Sequence, residues 1–254
     1  MYQVQTKVIH GTKDIWCRDY MPIQISENEF ISFVYNPQYL IGYESSITDP
    51  DKLVNFKMPI DKKHINVKLE GGNIVKGNSF VIMTDRVFKE NKHIERNKLI
   101  DKLEIAFESK LIVIPEQPFD LFGHADGMVR IVNSNTVLVN DYSNKESKRF
   151  VESLHGTLAA NGLNTVLLPY NPTFTKSKDG IYSAEGVYIN YLETNNLIVL
   201  PMFGDEENDN RALGVMNQNF NKRIIKINAQ ELAQEGGVLN CISWNVYQPM
   251  TIKN

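Results

Sequence analysis

Stretches that read as β-hairpins begin at residues 21, 73, 128, 187 and 238, so one unit recurs at intervals of 52, 55, 59 and 51 residues. Such a repeat constrains the fold strongly, because a single unit cannot bury its apolar face alone and must stack on its neighbours. The pattern at each point is a β-rich run, a polar turn and a second β-rich run. Met21–Ile25 returns through Phe30–Tyr35, Asn73–Lys76 through Ser79–Thr84, and Met128–Val132 through Thr136–Asn140. Val187–Leu192 returns through Leu197–Met202, and Val238–Trp244 begins a fifth hairpin with a poorly defined return.

Helical stripes lie between the hairpins. Leu99, Leu103 and Phe107 recur at i, i+4, i+8, as do Phe150, Leu154 and Leu158, and Leu213, Met216 and Phe220 form a shorter stripe. A further short strand follows each, at Leu111–Ile114, Thr165–Leu168 and Arg223–Ile227. The unit is therefore hairpin, helix, strand. No linker divides the chain, which implies one α/β domain over residues 1–254, a ring of units around a pseudo-axis.

Composition removes several function classes. The net charge is −3 and the basic residues are scattered, which argues against a phosphate-neutralising nucleic-acid protein. The longest apolar runs, such as Leu197–Leu200, are strand-sized and too short for a membrane span. The N-terminus, with Lys7, Lys13 and Asp14, has no apolar signal core, and two cysteines make no disulfide scaffold. A reduced, cytoplasmic protein is expected.

The residues that carry chemistry stand at the hairpin entrances. Trp16-Cys-Arg-Asp19 precedes the first, Glu70-Gly-Gly the second, Gly123-His124-Ala-Asp126 the third, Glu185-Gly186 the fourth, and Gly236-Gly-Val-Leu-Asn240-Cys241 stands at the fifth. If the units are related by symmetry, these entrances meet at one end of the axis. Acids, a histidine and a cysteine in one cleft suit attack on a guanidinium carbon. Carboxylates fork onto the planar cation, a thiolate adds to its carbon, and the histidine protonates departing ammonia before activating water. Cation or imidazolium beside the thiol favours the thiolate.

These segments resemble the agmatine deiminase and bacterial-type peptidyl-arginine deiminase family of guanidino-group-modifying enzymes. Trp-x-Arg-Asp-x-x-Pro stands at Trp16–Pro22, Glu-Gly-Gly at Glu70–Gly72, Gly-His-x-Asp at Gly123–Asp126, and the closing motif at Gly236–Cys241. Gly186-Val-Tyr188-Ile-Asn190 and Leu200-Pro201-Met-Phe203-Gly204 are also similar to family segments, so the resemblance covers roughly residues 12–246. It implies a five-fold pseudo-symmetric α/β propeller and hydrolysis without metal or cofactor through a covalent thiouronium on the cysteine. By the same resemblance Cys241 is the nucleophile, His124 the general acid and base, and Asp19 and Asp126 the carboxylates on the guanidinium. Glu70 matches an acidic motif position, and Trp16 is placed to wall the substrate channel. Two departures stand out. Family members carry a strand and helix before the first motif, whereas Trp16 here follows only fifteen residues, so the first unit is expected to be truncated. Asn240 precedes the nucleophile where agmatine deiminases often have His.

Other candidates have plainer explanations. Cys17 reads as packing. His10, His64, His93 and His155 lack acidic company, and Glu185 is balanced between substrate contact and turn structure. The acidic run Asp205–Asp209 reads as a loop and helix N-terminus. His124-x-Asp126 lacks further ligands at metal spacing, and the Gly-Gly pairs lack the context of a phosphate loop. The spacing of His124 and Asp126 would put both on one face of a strand.

The expected partner is a small cationic guanidino substrate, agmatine first, giving N-carbamoylputrescine and ammonia. A peptidyl-arginine deiminase, an amidinotransferase and a non-catalytic guanidinium-binding module are the alternatives. A papain-like thiol hydrolase fails on order, since its nucleophile precedes its histidine. An open edge in a truncated first unit would invite a second copy of the chain.

Overall fold

The computed structural model describes residues 8–53, 61–143, 145–176 and 180–247. Among these, the repeat appears as four three-stranded sheets of one design. In each, two antiparallel strands form a hairpin and a third strand joins the second in parallel.

The first sheet is β1 (Ile23–Gln24), β2 (Glu29–Val34) and β3 (Asp61–Lys68), preceded by the one-turn helix α1 (Cys17–Tyr20). The second is β4 (Val75–Lys76), β5 (Phe80–Thr84) and β6 (Lys110–Ile114), with α2 (Arg86–Glu90) and α3 (Arg96–Phe107) between β5 and β6. The third is β7 (Val129–Asn133), β8 (Thr136–Asn140) and β9 (Asn164–Leu168), with α4 (Lys148–Ala160) in its crossover. The fourth is β10 (Leu192–Glu193), β11 (Leu197–Met202) and β12 (Arg223–Asn228), with α5 (Glu206–Asn219) in its crossover and α6 (Gln230–Ala233) after it.

Alternation along the middle strands explains how the units stack. On β8, Val137 and Val139 enter one core cluster with Phe150, Leu154 and Leu158 of α4 and with Ile82, Ile112 and Ile114 of the second sheet. Leu138 points the other way, into a cluster with Ile198, Leu200 and Met216 of the fourth unit. On β5, Val81 and Met83 meet α3 and the first sheet, while Phe80 and Ile82 meet α4. Each helix is thus wedged between its own sheet and the sheet before it. Both faces of the middle strands are buried, which is why they read as continuous apolar runs rather than as alternation.

The helices begin where capping chemistry permits. The Ser147 side chain accepts from Phe150 N at the start of α4, and Asp205 accepts from Asn208 N at the start of α5. The acidic run at 205–209 is therefore a helix start, with Asp209 also accepting from the Tyr188 hydroxyl at 2.8 Å. Among the described residues no helix is long and apolar enough to cross a membrane.

Three expectations need correction. The first unit has a complete three-stranded sheet, and only its crossover is unusual, made of 3-10 turns at Gln38–Leu40, Glu44–Ser46 and Pro50–Lys52 with no α-helix among the described residues. The shortfall lies in the fifth unit, where Val238–Trp244 is turn and irregular chain. Its backbone is committed elsewhere: Asn240 N donates to Asn190 O, and Cys241 O accepts from Arg18 N at 3.1 Å. Likewise Val187–Tyr191 is turn rather than strand, although Tyr188, Ile189 and Tyr191 are fully buried.

Candidate active site

The second and third hairpins are each entered through a 3-10 turn, at Gly71–Asn73 and Ala125–Gly127. His124 and Asp126 therefore flank and enter a turn and do not share a strand face. The entrances are tied together: Asn73 Oδ1 accepts from Thr84 N at 2.9 Å, and the Thr84 hydroxyl donates to Gly123 O at 2.7 Å. Asp19, in α1, reaches over to accept from Gly72 N at 2.9 Å. Gly72 is required there, because a Cβ would collide with His124 Nδ1 and lie 2.7 Å from Asp19 Oδ1.

His124 is buried between two carboxylates. Its Nε2 lies 2.9 Å from Glu70 Oε2 and its Nδ1 3.6 Å from Asp19 Oδ1. Burial works against the imidazolium, but Asp19, the Glu70 hydrogen bond and Asp126 outweigh it and raise the pKa to about 10. Burial also raises Asp19, to about 7, with Glu70 and Asp126 adding to the rise and His124 opposing it. For Glu70, burial is outweighed by the bond to His124, which holds the carboxylate ionised. Glu70 Oε1 is buried without a hydrogen-bond partner among the described residues. Glu90 is pushed up to about 7 by burial and by the Glu70 charge, while its Oε1 accepts from Arg86 Nε at 3.2 Å.

Cys241 is held by the fourth unit. Asn190 Oδ1 accepts from Asn240 N at 3.1 Å and from Cys241 N at 3.3 Å. Asn240 donates through Nδ2 to Asp126 Oδ2 at 2.6 Å, and Arg18 bonds both the carbonyl and the side-chain oxygen of Asn240 at 3.2 Å. Gly237 lets the loop pass under Trp16, whose Cζ3 would lie 2.5 Å from an added Cβ. Burial, then Asp126 and Asp19, push the Cys241 thiol well above its ordinary pKa.

A cavity of about 590 Å³ opens onto this group, lined by His124, Asp126, Asn190 and Cys241. Phe119, Phe122, Phe174 and Tyr182 line it as well, with Phe119 97% and Phe174 61% exposed. Asp19, Glu70 and Trp16 are not part of the lining: the first two buttress the imidazole and the third covers the Gly237 turn. Glu185 and the four other histidines also lie outside the lining. Cys17 packs with Tyr20 and Met21, and burial raises its thiol to about 11.

Asp19, Glu70 and His124 place ligand atoms within 4.8 Å of one another, a spacing that would also suit a cation. Chain spacing alone could not reveal this trio, since its members come from three units. One oxygen of each acid is already bonded, Glu70 Oε2 to the imidazole and Asp19 Oδ1 to Gly72 N. Asn190 and Glu90 are the site residues to which sequence reasoning assigned no role. The segment Gly186–Asn190 was the only signal for Asn190, and Glu90 gave none.

Over residues 2–246 the chain matches the family described as Porphyromonas-type peptidyl-arginine deiminase, and it belongs to that family. It is 24% identical to the agmatine deiminase of Medicago truncatula over 69% of this chain and 56% of that one, so it spans little more than half of that relative's length. The C. jejuni agmatine deiminase superposes with a TM-score of 0.72 at 19% identity, covering 92% of this chain and 72% of that one. The agmatine deiminase of Enterococcus faecalis gives 0.73 at 19% identity, covering 89% and 73%. At such identity these structures establish a shared α/β fold.

Proposed function

We propose that this member of the Porphyromonas-type peptidyl-arginine deiminase family hydrolyses a guanidino compound, agmatine first, to a ureido product and ammonia. The observation that carries this reading is the convergence of Cys241, His124 and Asp126, from different units, on one cavity. The four sheets and the Gly236–Cys241 turn are read here as parts of a five-fold propeller around that cavity.

In this account the guanidinium enters and Asp126 accepts from its nitrogens, with Asp19 contributing charge from behind His124. The cation offsets the carboxylates that hold the Cys241 thiol protonated, so the thiol gives its proton to solvent and the thiolate forms when substrate is bound. The sulfur adds to the guanidinium carbon, and the C–N bond to one terminal nitrogen breaks as His124 gives that nitrogen its proton. Ammonia leaves, and Cys241 retains a thiouronium. The now neutral His124, restrained by Glu70, takes a proton from water, whose oxygen attacks the same carbon. The C–S bond then breaks as the added hydroxyl loses its remaining proton to solvent, releasing the ureido product and restoring thiolate and imidazolium. No external acceptor is required.

The exposed Phe119 and Phe174 on the cavity favour a second reading, in which the guanidinium arrives on a peptide. An ammonia-release screen over agmatine, free arginine and arginyl peptides, with products identified by mass, decides between them. Release from agmatine with formation of N-carbamoylputrescine is the expected result. Release only from arginyl peptides would transfer the reading to protein substrates, and no release from any of them would remove it.

A further inference from the structure

Behind the Asp126–Asn240 hydrogen bond lies a second cavity, of about 820 Å³, lined by both of those residues, of which Asp126 lines the first cavity too. Its other polar walls come from all four sheet-forming units. Arg18, Lys76, Arg130 and Lys222 supply four positive charges, against Asp126 and Glu193. That leaves an excess of two positive charges inside a chain whose net charge is −3.

The acids present are already in use. Glu193 sits between two cations, 2.7 Å from Lys222 Nζ and 3.6 Å from Arg130. Asp126 accepts from Asn240. Arg18, by contrast, is met by neutral oxygens, those of Asn240 and Asn245. Lys76 bonds only a backbone carbonyl, Gly77 O at 3.3 Å. Among the described residues neither Arg18 nor Lys76 has a carboxylate partner within ion-pair distance.

Unmatched cations in a recess are costly, because burial removes their hydration without supplying an anion in exchange. The strain shows at both groups. Burial lowers the pKa of Arg18 although the charge of Asp126 opposes it, with Arg130 adding a smaller effect in the same direction as burial, and burial lowers that of Lys76. Two guanidinium groups and a lysine on the wall of one cavity offer donors that an oxyanion can bridge. Arg130 is held in place for this task by its stack on Tyr191, 4.3 Å from the ring centroid, and by a bond to Tyr191 O at 3.0 Å.

We propose that this second cavity is a binding site for a small dianionic oxyanion of the phosphate class, gripped by Arg18, Arg130 and Lys76. The site is separate from the thiol-bearing cavity and does not depend on what that cavity hydrolyses. It lies one hydrogen bond from it, through Asn240.

The test uses the full chain and inorganic phosphate as the probe, with melting temperature and calorimetric titration as readouts at constant ionic strength. Potassium chloride serves as the control for screening. Saturable stabilisation by phosphate beyond that of chloride is expected. Lys76→Gln should weaken it about tenfold or more, and Lys76→Gln with Lys222→Gln further. Lys148→Gln, on the exposed face of α4, should leave it unchanged. Lys76→Gln removes a group with a single weak bond, so its fold should survive, and Arg130→Lys provides a second variant that keeps the charge but loses the fork. Equal stabilisation by phosphate and chloride would overturn the proposal. So would phosphate affinity that is the same in Lys76→Gln, Arg130→Lys and the unaltered protein.

Discussion

Nε2 of His124 lies 2.9 Å from Glu70 Oε2, and both groups are buried, so the imidazole is held from behind by a carboxylate that does not line the cavity. That pairing makes His124 a stored proton at neutral pH and restricts the ring to one orientation. Both properties are what a group that acts first as acid and then as base requires.

The pairing has a consequence for stability. His124 titrates at about 10 when folded, against an ordinary value of 6.5. The folded state therefore binds this proton more tightly than the unfolded chain does. Its stabilising contribution is complete below the ordinary value and is lost as pH rises through about 10. Asp19 and Glu90, each raised to about 7, contribute with the same sign at lower pH. The raised Cys17 and Cys241 thiols join above their ordinary value of 9.0, so the fall that sets in between about 7 and 9 belongs to His124. Denaturant midpoints should fall across that window. In Glu70→Gln, which removes one of the supporting charges, the fall should move to lower pH. A stability profile that is flat from 7 to 10 would contradict the imidazolium assignment.

Gly72→Ala should inactivate the protein without touching a reacting group. The new methyl would collide with His124 Nδ1 and crowd Asp19 Oδ1, so the ring must shift. A displacement of that kind costs about 10²-fold or more in turnover and about 1–3 kcal/mol in stability. Turnover at the unaltered rate, measured with whichever guanidino compound the native protein accepts, would contradict it.

Much of this was legible before any coordinates. The period of the hairpins located all four sheets, because the middle strands are apolar on both faces and α3 and α4 carry stripes at i, i+4, i+8, with a shorter stripe on α5. Of the hairpin entrances, those bearing His124, Asp126 and Cys241 reach the cavity, while Asp19 and Glu70 stand against His124 and Glu185 lies outside the lining. Two apolar runs misled. Tyr188, Ile189 and Tyr191 are apolar because they fill the core under the fourth sheet, while their chain turns to present Asn190. Val238 and Leu239 are buried for the same reason, and the chain after them serves the cysteine. Strand propensity cannot distinguish such a turn from a strand, since both bury β-branched and aromatic side chains. The depth of Asp19 and Glu70 behind His124 was equally beyond reach, because it depends on how three units close on one another.

Asn190 supplies one oxygen to two backbone donors, those of Asn240 and Cys241. Asn190→Ala leaves Cys241 N without that acceptor, while Asn240 N keeps the Asn190 carbonyl, and should cost about 1–3 kcal/mol. Turnover should fall more than substrate binding does, since Asp126 is untouched while the thiol is released from its position. Separate measurement of KM and kcat checks the split. Equal losses in both would show that the residue serves the fold alone.

The empty site should keep its thiol quiet. Burial and the charges of Asp126 and Asp19 hold Cys241 well above its usual pKa, so iodoacetamide should alkylate it slowly at pH 8. Replacing Asp126 by Asn removes one of the charges that raise it, and alkylation at the same pH should become faster. The experiment is done with Cys17→Ser in both proteins, so that only Cys241 is read. Slower alkylation in Asp126→Asn would contradict the electrostatic account.

The most direct test of the account is the mass of the protein, acid-quenched during turnover of agmatine or whichever guanidino compound it accepts. A covalent route predicts an added mass equal to the substrate less ammonia, located on the peptide that contains Cys241. Cys241→Ser should show no such mass and should lose about 10³-fold or more in rate, while still binding the substrate. Turnover that leaves Cys241 unmodified at every quench time, with Cys241→Ser as fast as the native protein, would contradict it.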